Sequence, residues 1–183
     1  EDAASAGTKR RVMATVGGGG PIAIAEQRAL IGEDLTALRG RVSSLRRAIP
    51  SAADDFSQLD RQIQEVESCG ADGIHIDVMD GHFVPSITFG TPIIKAVRGL
   101  SHLPLDIHMM TTHPEKHFSE FTTAGADSIT VHYEACPKLK DTLAELDKFH
   151  VRKCVALSPR TPIEKIFGII HMVDQILIMS VEP

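Results

Sequence analysis

Residues 70–79 read Gly70-Ala71-Asp72-Gly73-Ile74-His75-Ile76-Asp77-Val78-Met79, and fifty-five positions later the pattern returns as Gly125-Ala126-Asp127-Ser128-Ile129-Thr130-Val131-His132-Tyr133-Glu134. Each stretch is a helix-stopping glycine, a tight turn and a short strand rich in β-branched residues. Upstream of the first, Leu59, Ile63 and Val66 recur at helical spacing, so a helix is expected to end at Gly70. Further strands are expected at residues 103–109, 153–157 and 175–181, and helices at 114–123, 138–148 and 162–170. Strands and helices alternating at roughly 25–30 residues specify an α/β fold, a parallel sheet covered by helices.

Such a sheet is either open and doubly wound or closed as a (β/α)8 TIM barrel. No GxGxxG follows any expected strand. Polar residues fall instead near the C-terminal ends of several strands, where barrel enzymes build their sites. The barrel is therefore the expected architecture. With a first strand at 48–52, six strands fit before Pro183. A typical barrel uses about 250 residues, so the count predicts an incomplete barrel of about six of eight βα units. A chain truncated in this way is expected to be unstable or aggregation-prone alone, because two sheet edges stay open.

Composition narrows the function. At 183 residues, 43% hydrophobic and 23% charged, the chain has the length of one globular domain and can bury a core. A net charge of −5 gives no basic field for nucleic acid, and seven Phe, one Tyr and no Trp leave little for base stacking. No apolar run approaches the ~18 residues of a membrane span. Cys69, Cys136 and Cys154 are odd in number and far apart. That suits neither a disulfide framework nor a zinc finger, and points to a reducing, cytoplasmic compartment.

Charge divides the chain near residue 48, with a balance of +3 before it and −8 after it. Residues 1–20 are rich in Ala, Gly, Ser and Thr and read as a flexible leader. Pro21 opens an expected helix to about Arg47, with Ile24, Ile31, Leu35, Leu38, Val42 and Leu45 on one stripe. Residues 1–48 thus form a leader plus an amphipathic helix, and 49–183 the partial barrel. The helix docks on its own domain, serves oligomerisation, or is a remnant of plastid or other organelle targeting; sequence leaves all three open.

All nine histidines lie between His75 and His171, and imidazole suits both metal ligation and proton transfer near neutral pH. Alternate strand residues share a face. His75, Asp77 and Met79 therefore stand together, as do Asp106, His108 and Met110, and then Thr130, His132 and Glu134. The intervening Ile74, Ile76, Val78, Ile107, Met109, Ile129 and Val131 form the helix-covered face. Two imidazoles and a carboxylate at a barrel rim offer a divalent metal a ligand set with open positions. Parity leaves a second reading open, a closed hydrogen-bond network of paired interior groups. His132 is expected as an interior hydrogen-bonding residue, His82 near the site mouth, the remaining histidines on the surface, and the cysteines as buried thiols.

Ile74-His75-Ile76-Asp77-Val78-Met79-Asp80-Gly81-His82-Phe83-Val84-Pro85, with Ile87-Thr88-Phe89-Gly90 close behind, resembles the ribulose-phosphate 3-epimerases. So do Leu105-Asp106-Ile107-His108-Met109-Met110, Val131-His132-Tyr133-Glu134-Ala135 and Ile178-Met179-Ser180-Val181-Glu182-Pro183. The resemblance runs from about residue 49 to the end, in order and spacing. It implies a (β/α)8 barrel that inverts C3 of D-ribulose 5-phosphate to give D-xylulose 5-phosphate in the pentose phosphate pathway. It implies one divalent metal ion (zinc, iron or manganese), a sugar-phosphate substrate and a homo-oligomer. His75, Asp77 and His108 are implied metal ligands, and Asp77 one of two acid/bases. Ser51, His75, Met79, His108, Met110 and Met179 are implied substrate-binding residues, the methionines lying against the reacting carbons. Plain core packing accounts for those methionines equally well. In this chemistry one aspartate takes the C3 proton, an enediolate forms, and a second acid returns a proton to the opposite face.

The departures are as specific. Aligned from Phe56, the family's substrate-touching serine falls on Ala53, and Ser51 is the nearest hydroxyl. Ser86 stands where the family usually has asparagine. The family's glycine-rich phosphate loop, second catalytic aspartate and fourth metal ligand would all follow Pro183. The chain by itself is therefore expected to lack turnover while retaining metal binding. A non-catalytic fragment or interaction module built on helix 21–47 is the alternative from another class. A sister sugar-phosphate epimerase, such as one for allulose 6-phosphate, is the nearer alternative, and residues 84–90 favour the ribulose enzyme.

Overall fold

The computed structural model describes residues 11–14, 47–48, 56–68 and 70–183. Its strands are β1 Arg11–Ala14, β2 Arg47–Ala48, β3 Gly73–Met79, β4 Leu105–Met110, β5 Ser128–His132, β6 Arg152–Leu157 and β7 Gln175–Ile178. They form one sheet in the order β1-β7-β6-β5-β4-β3-β2, and every pairing is parallel. From β2 to β7 the spatial order follows the chain without reversal. A doubly wound sheet turns back at a switch point; one that keeps advancing has the winding of a TIM-type (β/α) barrel.

Helices α1 Leu59–Ser68, α2 Thr91–Leu100, α3 Phe118–Ala124 and α4 Leu139–Leu146 fall between the strands. Each buries a stripe: Leu59 and Ile63, Ile94 and Val97, Phe118 and Phe121, and Leu139, Leu143 and Leu146. They pack on Ile74, Ile76, Val78, Leu105, Ile107, Met109, Ile129, Val131, Val155 and Ile176, the apolar half of the strand alternation. Full burial of a side chain such as Leu143 or Phe118 is worth about 1.5–3 kcal/mol. The last covering element, Ile163–Met172, is a 3-10 helix. Ile163, Ile166 and Ile169 are its buried residues, and their spacing of three puts them on one side of a helix with three residues per turn.

Gly70 and Gly125 terminate α1 and α3 in left-handed conformations, at φ 78° and 111°, as the sequence predicts. Gly125 has a second reason to be glycine, since a Cβ there would meet Arg98 Cδ at 2.4 Å. The Arg98 guanidinium lies across the turns: it donates to Asp127 Oδ2 at 2.9 Å and to the Ser101 and Leu103 carbonyls at 2.6 Å.

The sheet differs from the sequence expectation at its edges. The pattern predicts six strands, and the described residues form seven. Arg11–Ala14, within the expected leader, pairs in parallel along β7, from Arg11 opposite Gln175 to Ala14 opposite Ile178. An edge strand offers unpaired backbone groups to any extended segment, so pairing there needs no alternating pattern in the added strand. Arg47, the expected helix end, begins β2 instead. The expected helix over residues 21–47 otherwise lies outside the described residues, as does the remainder of the strand expected at 48–52.

Candidate metal centre

The site lies on the sheet face turned away from the helices. Parallel register sets His75 opposite Asp106 and Asp77 opposite His108, with Met79 opposite Met110 in the next row. His75 and His108 are each 2% exposed, and the Asp77 side chain is 26% exposed. His75 Nδ1 lies 2.9 Å from Asp106 Oδ2, and its Nε2 lies 3.3 Å from Asp77 Oδ1. His108 Nδ1 lies 2.8 Å from the same Asp77 oxygen. One potential ligand atom from each of His75, Asp77 and His108 falls within 4.8 Å of the others.

Burial alone would lower the His75 pKa, but its hydrogen bond to Asp106 and the Asp77 carboxylate beside Nε2 outweigh it and raise it from 6.5 to about 9. For Asp77, burial alone would raise the pKa; His108 and His75 overcome that and hold the carboxyl well below its usual range. His108 is pushed down to about 4, by burial first and by the neighbouring His132 and His75 imidazoles, against the pull of Asp77. One imidazole is therefore kept neutral next to an ionised carboxylate, as a metal ligand set requires.

A second layer holds these groups. Asp106 is 2% exposed and accepts from Ser128 Oγ at 2.7 Å and Thr130 Oγ1 at 3.2 Å. The Thr88 hydroxyl donates to the Asp77 carbonyl at 2.7 Å and accepts from Met79 N–H at 3.0 Å, tying the 80–88 loop to the end of β3. Asp80 bridges that loop to the one after β4: its carboxylate accepts from the His82 and Phe83 amides and from the Thr112 amide and hydroxyl. Those donors overcome a burial effect that would raise its pKa, and keep it ionised.

Of the sequence-predicted site residues, the structure gathers His75, Asp77 and His108, with Met79 and Met110 paired beside them. Met179 lies just past β7, its amide donating to the Leu157 carbonyl at 3.1 Å, four strands along the sheet from Asp77. Ser51 lies outside the described residues. His132 is the expected interior group, fully buried, with Nε2 2.9 Å from His108 Nε2 and the Phe83 ring 4.9 Å away. His82, His102, His113, His150 and His171 are exposed, and His117 is half-buried. Cys136 and Cys154 are free buried thiols, and Cys69 lies outside the described residues. Sequence reading placed Asp106 and Glu134 on the site face without a role; their contacts depend on register that one strand's pattern does not contain.

The donor set fits a divalent cation. His75 Nε2 is a buried nitrogen with no hydrogen-bond partner, and it faces the Asp77 carboxylate. Two imidazoles and one carboxylate leave further coordination positions open.

A singly wound (β/α) sheet with a two-histidine, one-carboxylate cluster on its inner face defines a barrel with a metal-ready centre. The chain belongs to the ribulose-phosphate 3-epimerase family, whose model ("Ribulose-phosphate 3 epimerase family") matches residues 47–183. It is 46% identical over 129 residues to "Ribulose-phosphate 3-epimerase" of Bacillus subtilis strain 168, covering 70% of this chain and 59% of that protein. It is 42% identical over 131 residues to "Ribulose-5-phosphate-3-epimerase, chloroplastic" of Arabidopsis thaliana, covering 70% and 47%. The match thus spans about half the length of these relatives. Among solved structures, a tryptophan synthase α-subunit from Pyrococcus furiosus superposes with a TM-score of 0.59 at 14% identity, over 75% of this chain and 65% of that one. At that identity the likeness is one of fold. Among the described residues no helix is long and apolar enough to cross a membrane.

Proposed function

We propose that this chain supplies the metal-binding and first proton-transfer half of a ribulose-phosphate 3-epimerase, which interconverts D-ribulose 5-phosphate and D-xylulose 5-phosphate. The observation that carries the proposal is the convergence of one ligand atom each from His75, Asp77 and His108 within 4.8 Å on the inner sheet face. His75, Asp77 and His108 would hold a divalent ion, with zinc, iron and manganese all compatible with this ligand set. Such an ion supplies Lewis-acid stabilisation of the negative charge that develops on the C2 and C3 oxygens.

Asp77 is the base that takes the C3 proton. Its carboxylate is ionised, about a quarter exposed and held in place by His108. Met79 and Met110 stand in the adjacent row, where unhydrated thioethers keep water from an enediolate without competing for its proton. Ser51 and Met179 are proposed to complete the substrate contacts from the neighbouring strands. The second acid, which inversion requires on the opposite face, belongs in this reading to the length of the relatives that the chain does not span. A homo-oligomer working in the cytoplasm, or in a plastid, is the accompanying proposal. Among the sister sugars, ribulose 5-phosphate is favoured by the names of the matched relatives.

The test is a chimaera in which the Bacillus subtilis relative supplies the sequence beyond Pro183. It should convert ribulose 5-phosphate to xylulose 5-phosphate, lose that activity to a chelator and regain it with zinc or manganese. Turnover indifferent to chelation would reject the metal reading, and preference for a 6-phosphate ketose would favour the sister enzyme.

A further inference from the structure

The hydrogen-bonded chain that leaves the triad through His132 ends on a carboxylate, and counting its N–H groups fixes the direction of each link. Three contacts run in series: Asp77 Oδ1 to His108 Nδ1 at 2.8 Å, His108 Nε2 to His132 Nε2 at 2.9 Å, and His132 Nδ1 to Glu134 Oε2 at 3.2 Å. Each link needs one hydrogen, and in the form that takes a cation, with both imidazoles neutral, they carry one apiece. One link must go without.

An ionised carboxylate only accepts. Glu134 is anchored as an acceptor, because its Oε1 already receives the Ser158 amide at 2.9 Å and the Thr161 hydroxyl. Its Oε2 therefore takes the hydrogen of His132 Nδ1, which leaves a lone pair on His132 Nε2. That lone pair takes the hydrogen of His108 Nε2 and leaves a lone pair on His108 Nδ1, aimed at Asp77. The shorter arm gives the same count. Asp106 Oδ2 accepts His75 Nδ1–H at 2.9 Å, and the unpartnered His75 Nε2 faces Asp77 Oδ1 at 3.3 Å. Once His75 has given up its extra proton to an incoming cation, two links short of a hydrogen meet at one carboxylate oxygen, where the cation would stand.

We propose that Glu134, acting through His132, is a positioning residue of the metal centre: it holds His108 in the tautomer whose Nδ1 lone pair is free for the cation. Asp106 does the same for His75 directly. His132 is fully buried, so water does not substitute for either partner. Carboxylates behind metal-ligating histidines commonly fix ring tautomer and orientation; here one of the two acts through an intervening imidazole. The inference rests on the metal reading above.

Glu134→Gln tests it. The Ser158 and Thr161 donors keep the amide oxygen in the place of Oε1, so the amide N–H2 points at His132 Nδ1. A donor there reverses every link and puts a hydrogen on His108 Nδ1, inside the cation position. Zinc is titrated into the full chain and into E134Q against a chelating dye, and the imidazole nitrogens of the zinc-loaded parent are read by 1H–15N NMR. E134Q should bind zinc about 10- to 100-fold more weakly. The parent should carry its hydrogens on His108 Nε2 and His132 Nδ1. Equal zinc affinity in parent and E134Q, or a hydrogen on His132 Nε2 in the zinc-loaded parent, would overturn the inference and leave the metal reading standing. Should E134Q not fold, the NMR measurement decides alone. Failure of the parent chain to take up zinc would overturn the metal reading, and this inference with it.

Discussion

Raising the pH from 6.5 to 8.5 should destabilise the metal-free chain by about 2–3 kcal/mol, and His75 is the cause. Burial pulls its pKa down, but the carboxylates of Asp106 and Asp77 raise it from 6.5 to about 9. The folded chain then keeps a proton that the unfolded chain has released. The stabilisation is complete below about 6.5, declines through the interval and is gone above about 9. Each pH unit inside the interval is worth about 1.4 kcal/mol, so the whole effect is about 3 kcal/mol. Asp77 and Glu134 are held below the ordinary carboxylate range despite burial and stay ionised in both states here, adding no slope. Burial raises the Cys136 thiol to about 11 and Cys154 further, so they add loss of the same sign only near pH 9 and above. His108 works oppositely: with a folded pKa of about 4, its contribution is present above 6.5 and lost as pH falls through 4. Stability should therefore peak near pH 6.5. Urea unfolding followed by circular dichroism, in a chelator, measures the profile for the parent and for His75→Gln. A parent as stable at pH 8.5 as at 6.5, or an equal slope in H75Q, would refute the assignment.

Zinc uptake at pH 7.5 should release about one proton per site, because His75 holds one up to about 9 while His108 is neutral above about 4. Calorimetry in buffers of different ionisation enthalpy counts it, and zero release would remove His75 from the ligand set. Leu143→Ala, at a fully buried position in α4, should cost about 2–5 kcal/mol in the same unfolding assay; a loss below about 1 kcal/mol would mean that α4 does not pack as described. Gly125→Ala forces φ 111° on a side chain whose Cβ meets Arg98 Cδ at 2.4 Å, and should cost about 1–3 kcal/mol. A neutral result in thermal unfolding would contradict the Arg98 staple.

The alternation in β3, β4 and β5 was legible because polar and apolar residues there face different surroundings, so Ile74-His75-Ile76-Asp77 carries both the strand and the site in its parity. The glycines at 70 and 125 were legible for a local reason, the left-handed backbone each turn requires. What stayed hidden depends on partners far along the chain. Asp106 meets His75 only once β3 and β4 pair in register. Glu134 meets Ser158 and Thr161 across the β5–β6 side of the sheet, and no spacing within residues 128–134 encodes that. The helix expected at 162–170 is of the 3-10 type; Ile163, Ile166 and Ile169 fit either helix over so short a run. Arg11–Ala14 carries no strand signature beyond Val12 and Met13, because its pairing is supplied by the edge of β7.

The most direct measurement of the central claim is C3-hydrogen exchange of ribulose 5-phosphate in heavy water, run on the chimaera and its Asp77→Asn variant with zinc bound to both. If Asp77 is the base, the substitution keeps the shape of the site and removes the proton acceptor, and exchange should fall by about 10²- to 10⁴-fold. Exchange by the metal-loaded D77N protein at close to the parental rate would contradict the account.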